Sequence, residues 1–403
     1  MSDALSITVL GTHFAVSWGP RVTKAQREGM LSAWKRCAAP GALAPPPPRL
    51  PTESQPFSAA VAYSSKVADG GTLQLQSGTF EGLAEQLTSE ITVAAILENA
   101  GELTMLHACG LAHPDTGAVV ALVAKSGTGK TTASSVLART YGYVTDETVA
   151  IRPDGAVLPF PKPLSVKQKE PGQAKLQVGP DELGLLAAPR NLFVQSIVLL
   201  DRVDAGDLPS PVLQQVPLAD AVLALIPDSS SQAKIRQPLQ SLCRIIDGVG
   251  GVWKVTYAEA GDLPRALAPL LRQQGTSAVG WSAPGPGRQS GAIPAGWLRR
   301  AEAIDAVEIA GDLLVMLDDQ ILRLGGIAPA MWEATAQAVP LEMLAEKIGA
   351  VHGKPDGYQA AVNAAAEQLV AKSILERGVP MSQEGDAPGP AVGNDQPVDP
   401  CMT

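Results

Sequence analysis

The sequence has few aromatic residues, no excess of basic residues and no closely spaced cysteines. Aromatic residues make up 4% of the 403 residues, which argues against a surface that binds nucleic acid by base stacking. Acidic residues outnumber basic ones, 40 to 31, and a net charge of −9 argues against binding to a phosphate backbone. The four cysteines form no Cys-x-x-Cys motif, so neither a zinc site nor a disulfide framework is indicated.

Long apolar runs are also missing. The first residues lack the basic and apolar regions of a secretory signal. The run Ala118–Ala124 is about a third of the ~20 residues that a membrane span needs. Hydrophobic residues still make up 45% of the chain, which is enough for a sizeable core. We therefore expect a cytoplasmic protein that binds neither membranes nor nucleic acid.

Stretches rich in proline and glycine divide the chain. Residues 38–56 contain a run of four prolines, and residues 275–296 are rich in glycine, proline and serine. No periodic pattern follows residue 378. The division predicted from these features is a β-rich N-terminal module (1–100), a central domain (101–274), a linker (275–296), a C-terminal domain (297–378) and a disordered tail (379–403).

Hydrophobic periodicity predicts the main elements. In the central domain it predicts strands over Ala118–Ala124, Ser196–Leu200 and Val252–Tyr257, and helices over Thr131–Thr140 and Leu263–Arg272. This alternation is typical of an α/β or α+β fold. In the N-terminal module it predicts one strand over Ser6–Val16 and a helix over Glu28–Cys37.

A phosphate-binding loop is the most specific motif. Ala124-Lys-Ser-Gly-Thr-Gly-Lys-Thr131 matches the Walker A pattern, with alanine at the usual first glycine. Gly127 and Gly129 let backbone N–H groups point at phosphate oxygens, Lys130 is expected to reach the β- and γ-phosphates, and the Thr131 hydroxyl is expected to bind Mg²⁺. The predicted nucleotide-binding residues are Ala124, Lys125, Ser126, Gly127, Thr128, Gly129, Lys130, Thr131 and Thr132.

Acidic residues follow two other apolar runs. Asp146 and Glu147 end one of them, where one carboxylate could hold Mg²⁺ and the other could accept a proton from an attacking hydroxyl. The alternative is a solvated turn before the hairpin signal Arg152-Pro-Asp-Gly155. Asp201, after Ser196–Leu200, is a second candidate for a metal-binding acid, or else it begins a polar turn over 201–204.

His107 lies in an apolar run before the turn signal Pro114-Asp-Thr-Gly117. The signal predicts a hairpin with Ala118–Ala124, which places His107 opposite residue 123 or 124, at the start of the phosphate loop. A histidine there could contact phosphate. A single histidine in an apolar strand is also compatible with a purely structural role.

These motifs resemble the catalytic domain of HPr kinase/phosphorylase and the related HPr-kinase-like serine kinases. The resemblance covers about residues 103–166, including Leu106-His-Ala108, the phosphate loop, Thr145-Asp-Glu147 and Pro159-Phe-Pro-Lys-Pro-Leu-Ser165. It implies a P-loop kinase fold that uses ATP and Mg²⁺, with His107, Asp146 and Glu147 at the transfer site and Thr131 and Asp146 as metal ligands.

The sequence departs from that family in two ways. Glu147 stands where the family usually has aspartate, so the base assignment between Asp146 and Glu147 stays open. The family's Glu-x-Arg-Gly-x-Gly signature is absent, which argues against HPr itself as the substrate and against the reverse phosphorolysis.

A second resemblance concerns about residues 304–378. Val307–Leu317 and Ile321–Leu324 predict a β-hairpin, and helices are predicted over Ala328–Ala336, Leu341–Val351 and Tyr358–Arg377. This order is similar to PqqD-like winged-helix domains, which bind leader peptides of ribosomally made peptides at an exposed strand edge. Residues 297–377 carry 7 basic and 12 acidic residues, the wrong sign for a DNA-binding domain.

We therefore expect an ATP- and Mg²⁺-dependent serine or hydroxyl kinase that acts on a peptide or protein in ribosomal peptide modification. The expected partner is a leader peptide bound by residues 297–378. Two alternatives stay open, a non-catalytic peptide carrier gated by nucleotide and a P-loop nucleotide hydrolase.

Overall fold

The elements are those of a computed structural model that describes residues 5–39, 56–66, 70–124, 130–168, 170, 172–204, 210–272, 280–287, 291–318 and 320–379. The strands within these residues are β1 (Leu5–Val9), β2 (Thr12–Trp18), β3 (Phe57–Tyr63), β4 (Gly71–Ser77), β5 (Thr104–Leu106), β6 (Ala108–Ala112), β7 (Ala118–Val123), β8 (Gly142–Thr145), β9 (Val149–Ile151), β10 (Val157–Leu158), β11 (Leu164–Val166), β12 (Leu176–Val178), β13 (Phe193–Arg202), β14 (Val212–Val216), β15 (Ser229–Ser230), β16 (Val252–Tyr257), β17 (Leu298–Arg300), β18 (Asp305–Ile309), β19 (Asp312–Leu317), β20 (Gln320–Leu324) and β21 (Leu375–Arg377). The α-helices are α1 (Lys24–Ala33), α2 (Phe80–Glu98), α3 (Lys130–Leu137), α4 (Leu218–Leu225), α5 (Pro238–Gly248), α6 (Leu263–Leu267), α7 (Ala328–Ala334), α8 (Leu341–His352) and α9 (Tyr358–Ala371).

The central feature is a mixed six-stranded sheet in the order β14-β16-β13-β7-β6-β8. Strands β7, β13 and β16 are parallel, and β6 is antiparallel to both of its neighbours. Residues of α3 and α6 pack on one face of this sheet, and residues of α4 and α5 pack on the other. The predicted α/β layering is therefore confirmed.

A smaller sheet, in the order β10-β9-β5-β15, continues from the large one. Two neighbouring chain segments cross from one sheet to the other. The first crosses at His107, between β5 and β6, and the second crosses at 146–148, between β8 and β9. The N–H of Ala108 donates to the Glu147 carbonyl at 3.1 Å, so the two crossings lie side by side.

The N-terminal module is an antiparallel sheet, β1-β2-β3-β4, covered by α2. Its core includes Trp34 and Cys37, and it continues to Met105 and Ala150 of the small sheet and to Phe160, which follows β10. The residues on either side of the predicted boundary at 100 thus share one hydrophobic core. The 19-residue helix α2 was not predicted from the sequence.

Two predicted strands are each divided by a tight turn. The predicted strand over Ser6–Val16 is the hairpin of β1 and β2, and the strand over Val307–Leu317 is the hairpin of β18 and β19. The turns hold Leu10 and Gly11 at φ values of 48° and 84°, and Ala310 and Gly311 at 52° and 87°. Positive φ at both central residues is the geometry of a two-residue hairpin turn, and glycine adopts it readily.

The last predicted helix is also too long. It ends at Ala371 rather than at Arg377, and Ser373 at φ 56° turns the chain into β21. Strand β21 pairs with β17. Apart from Val379, the predicted tail lies outside the described residues. Parts of the predicted linker and most of the proline-rich stretch also lie outside them.

The chain forms two compact units. Residues 1–284 and 303–326 belong to the first, and residues 285–302 and 327–403 belong to the second. The predicted domain over 297–378 is thus divided between them, because Val307, Leu314 and Met316 share a core cluster with residues of α4 and α5. The winged-helix assignment stays a prediction. In the described part of the chain, no helix has the length and apolar character needed to cross a membrane.

Candidate active site

The phosphate-loop motif begins directly after β7, the strand between β13 and β6. Ala124 and Lys130–Thr132 are described, whereas Lys125, Ser126, Gly127, Thr128 and Gly129 lie outside the described residues. Lys130 opens α3, and its ammonium donates to the Ala124 carbonyl, across the two ends of the loop. Thr131 and Thr132 are exposed in the first turn of the helix.

Several functional groups meet at one edge of the large sheet. Strand β8 runs parallel to β7, because both are antiparallel to β6. The carboxyl ends of β7 and β8 and the amino end of β6 therefore lie at the same edge. Lys130 follows β7, Asp146 and Glu147 follow β8, and His107 precedes β6. Ligands of open α/β sheets bind at the carboxyl ends of strands.

His107 lies where the hairpin register predicts. Ala108 pairs with Val123, so His107 stands at the level of Ala124. The predicted continuous strand is interrupted at His107 itself, whose N–H donates to the Asp228 carbonyl at 2.6 Å. Burial lowers the pKa of His107, and the nearby charge of Lys130 lowers it further, while Glu147 and Asp228 oppose both effects.

The two adjacent acids share a buried cation, Lys162. Its Nζ lies 3.0 Å from Asp146 Oδ1 and 3.1 Å from Glu147 Oε2. Burial alone would lower the pKa of Lys162, but Asp146 and Glu147 outweigh it, and the pKa lies above its ordinary value. The hydroxyl of Tyr143 also donates to Asp146 Oδ1, at 2.9 Å. Asp146 and Glu147 are therefore not a solvated turn.

The two carboxylates differ in exposure and in electrostatic neighbours. The side chain of Asp146 is 5% exposed, whereas that of Glu147 is 35% exposed. Burial lowers the pKa of Lys130, and Asp228, Cys109 and Glu147 oppose that shift. Glu147 thus contacts Lys162 and lies within electrostatic range of Lys130, and it is the acid of the pair that solvent can reach.

Asp201, the second acid considered for the metal, lies inside β13 and does not begin a turn. Its carboxylate accepts from the Thr256 hydroxyl at 3.2 Å and lies 3.2 Å from Lys254 Nζ. Both partners belong to β16. The described contacts of Asp201 thus join two strands and do not connect it with His107, Lys130 or Glu147.

Sequence patterns missed three residues of this site, namely Tyr143, Lys162 and Asp228. Asp228 comes from the distant 226–228 turn, which no motif marks. Tyr143 lies in β8, a strand whose four residues are all buried, and nothing in the sequence separates it from an ordinary core residue. Lys162 lies in the segment Pro159–Ser165 that carries the family resemblance, but nothing in its local sequence marks it as buried.

The donor set at this edge suits a hard cation bound together with phosphate. No group of three or more His, Cys, Asp or Glu side chains in the described ranges could hold a metal ion by itself. Mg²⁺ in nucleotide sites is usually held by one or two carboxylates together with substrate phosphates, and hydroxyl oxygens such as that of Thr131 complete the set. The oxygens of Thr131, Asp146 and Glu147 fit that chemistry.

No protein-family model matches the sequence, and no curated protein is significantly similar to it. Among solved structures, the chain is similar to the Hpr(Ser) kinase/phosphatase from Coxiella burnetii. The match has 17% identity and a TM-score of 0.21, and it covers 42% of this chain and 93% of that chain. A likeness of this degree identifies neither family nor activity, so the function proposed below rests on this chain's own residues.

Proposed function

We propose that the protein is a phosphotransferase that moves the γ-phosphoryl group of ATP to a hydroxyl group on a peptide or protein. The observation that carries the proposal is the meeting of Lys130, His107 and the Asp146–Glu147 pair at one sheet edge, next to a Walker A motif. Phosphoryl transfer needs positioned charges more than covalent chemistry, and this edge supplies both cations and carboxylates.

The proposed roles follow from exposure. Lys130 and the N–H groups of the phosphate loop bind the phosphates, and Thr131 with Asp146 holds Mg²⁺, which neutralises phosphate charge when it is bound. Glu147 orients the acceptor hydroxyl and takes its proton, because it is the more accessible acid of the pair. His107, kept neutral by its lowered pKa, donates or accepts a hydrogen bond beside the phosphates.

A peptide acceptor has an open strand edge available in the same compact unit. In the sheet β18-β19-β20, the outer side of β18 is bridged by Ser282, whose backbone exchanges two hydrogen bonds with Glu308. Strand β20 is the other edge, with Gln320 and Arg323 exposed. We propose that an extended peptide pairs with β20, where backbone groups give affinity and side chains give selectivity.

Calorimetry with Mg²⁺–ATP tests the nucleotide site. Wild type should bind, and Lys130→Ala should bind at least tenfold more weakly, since it loses a charge-assisted contact worth about 1.5–3 kcal/mol. Lys24→Ala, which changes an exposed lysine on α1, is the matched control and should bind like wild type. Equal binding by Lys130→Ala and wild type would refute the nucleotide site.

Transfer is tested with γ-labelled ATP and a panel of serine-containing peptides. Glu147→Gln should keep nucleotide binding and lose most of the transfer. If the full chain binds ATP and a peptide but labels no peptide, while ATP changes peptide affinity, the protein is a nucleotide-gated carrier. If ATP is consumed and the label appears only as orthophosphate, it is a hydrolase.

A further inference from the structure

Lys162 is the most deeply buried charged side chain of the site, and the roles proposed above do not use it. Its side chain is 3% exposed. An ammonium has three N–H bonds, and Lys162 Nζ has three acceptors, namely Asp146 Oδ1, Glu147 Oε2 and, at 3.2 Å, the Pro163 carbonyl. Every donor of Lys162 is thus matched, which fixes the position of its charge.

The backbone around Lys162 is held as firmly as its side chain. Pro161 and Pro163 flank it and restrict the main chain. The Lys162 N–H donates to the Phe160 carbonyl at 2.9 Å, and the hydroxyl of Tyr143 lies 3.3 Å from the Lys162 carbonyl. Tyr143 therefore contacts both the main chain of Lys162 and the carboxylate that Lys162 binds.

The core of the N-terminal module reaches the segment that carries this lysine. Phe160, two residues before it, belongs to the same core cluster as Trp34 and Cys37. Cys37 is buried, and burial raises the pKa of its thiol to about 12 even though the charge of Lys162 acts to lower it. Cys37 thus lies within electrostatic range of Lys162. The burial of Lys162 strengthens its attraction to the two carboxylates.

We propose that Lys162 is a positioning residue, which holds Asp146 and Glu147 together at the sheet edge where Lys130 begins α3. The proposal rests on the proposed function and adds a residue to it. Two carboxylates on adjacent residues repel each other, and one fixed ammonium between them reduces the net charge of the three groups to −1. Without the ammonium of Lys162, the two carboxylates would repel each other, and the side chain of Glu147 would turn towards solvent.

The test compares Lys162→Met, which has a similar length and no charge, with Lys167→Met, which changes an exposed lysine five residues later. Binding of Mg²⁺–ATP is measured by calorimetry, and kcat and KM for ATP are measured with the peptide panel. Lys162→Met should lose about 100-fold in kcat, the cost of a misplaced catalytic group. Its affinity and KM for ATP should change far less, because Lys130 still binds the phosphates. Lys167→Met should match wild type in all three quantities.

The double variant Lys162→Met/Glu147→Gln separates positioning from a general structural effect. If Lys162 acts through Glu147, its loss should cost little in kcat once Glu147 has been replaced. If the two kcat losses multiply, Lys162 acts elsewhere and the proposal is wrong. Full transfer by Lys162→Met, with transfer intact in wild type, would also overturn it. If wild type labels no peptide, the proposed kinase function is refuted, and the proposed role of Lys162 is refuted with it.

Lys162→Met could fail to fold, because it leaves the buried carboxylate of Asp146 without a cation. The variant Lys162→Met/Asp146→Asn removes that carboxylate and keeps Glu147. Its kcat should fall well below that of Asp146→Asn alone if Lys162 positions Glu147. Equal kcat values for these two variants would overturn the proposal.

Discussion

Two cations in this protein each bridge two carboxylates, and they differ mainly in burial. Lys162 joins Asp146 and Glu147 with a side chain that is 3% exposed. Arg323 joins Asp220 and Asp312 with a side chain that is 42% exposed. The contact distances are similar, between 2.5 and 3.1 Å.

The comparison shows that contact geometry alone does not determine how much an ion pair contributes to stability. Water solvates the charges around Arg323 whether or not the bridge forms, so the bridge adds little. Around Lys162, water is largely excluded, so removal of the cation leaves buried charge without compensation. A cation between two carboxylates thus contributes little to stability at an exposed position and much more at a buried one.

The largest effect is expected for Lys162→Met. It should lower the free energy of unfolding by about 3–5 kcal/mol, because a buried carboxylate loses its partner. Urea denaturation measures the loss. The double variant Lys162→Met/Asp146→Asn should recover part of it, and a loss below about 1 kcal/mol would mean that Asp146 is solvated in solution.

A smaller loss is expected for Tyr143→Phe. This change removes the hydroxyl that donates to Asp146, and hydrogen bonds to charged groups contribute about 1.5–3 kcal/mol. Tyr141→Phe is the matched control, since the Tyr141 hydroxyl donates to a neutral carbonyl, that of Pro264, at 3.1 Å. The control should cost about 0.5–1.5 kcal/mol. Equal costs would contradict a charged Asp146.

The pH dependence of stability reports on His107. Because its pKa is lowered in the folded protein, the unfolded chain binds more protons between the folded pKa and the ordinary value of 6.5. Stability should therefore fall as pH drops from about 6.5 through the folded pKa. His107→Gln should flatten that part of the profile relative to His352→Gln, a change at an exposed histidine. Identical profiles for the two variants would show that His107 is not buried beside Lys130.

The smallest effect is expected for Arg323→Met. Urea denaturation should give the same unfolding midpoint as wild type, because the carboxylates of Asp220 and Asp312 remain solvated. A loss comparable to that of Lys162→Met would show that burial does not decide the difference between the two bridges.

The sequence predicted the strand before the Walker A motif and the helix that begins at Lys130, because the motif and its flanking periodicity agree. It also predicted the register of His107, because Pro114-Asp-Thr-Gly117 fixes the hairpin turn. It missed the turns at Leu10 and Ala310, since apolar residues are unusual at positive φ and alternation continues across a two-residue turn. No sequence pattern predicted the contact of Lys162 with Asp146 and Glu147, because the fold brings these residues together from separate segments of the chain.

The N-terminal module shares a core with the residues that follow it, and this limits where the protein can be truncated or fused. Arg36 donates to Asp181 at 2.7 Å and to the carbonyls of Leu185 and Leu186, and Leu186 bonds in turn to the end of the phosphate-loop helix and to Tyr143. A fusion protein that starts at residue 101 would lose these contacts of Arg36 and expose the apolar surface around Phe160. We therefore expect a fragment with the helix α3 to need the first four strands in order to fold.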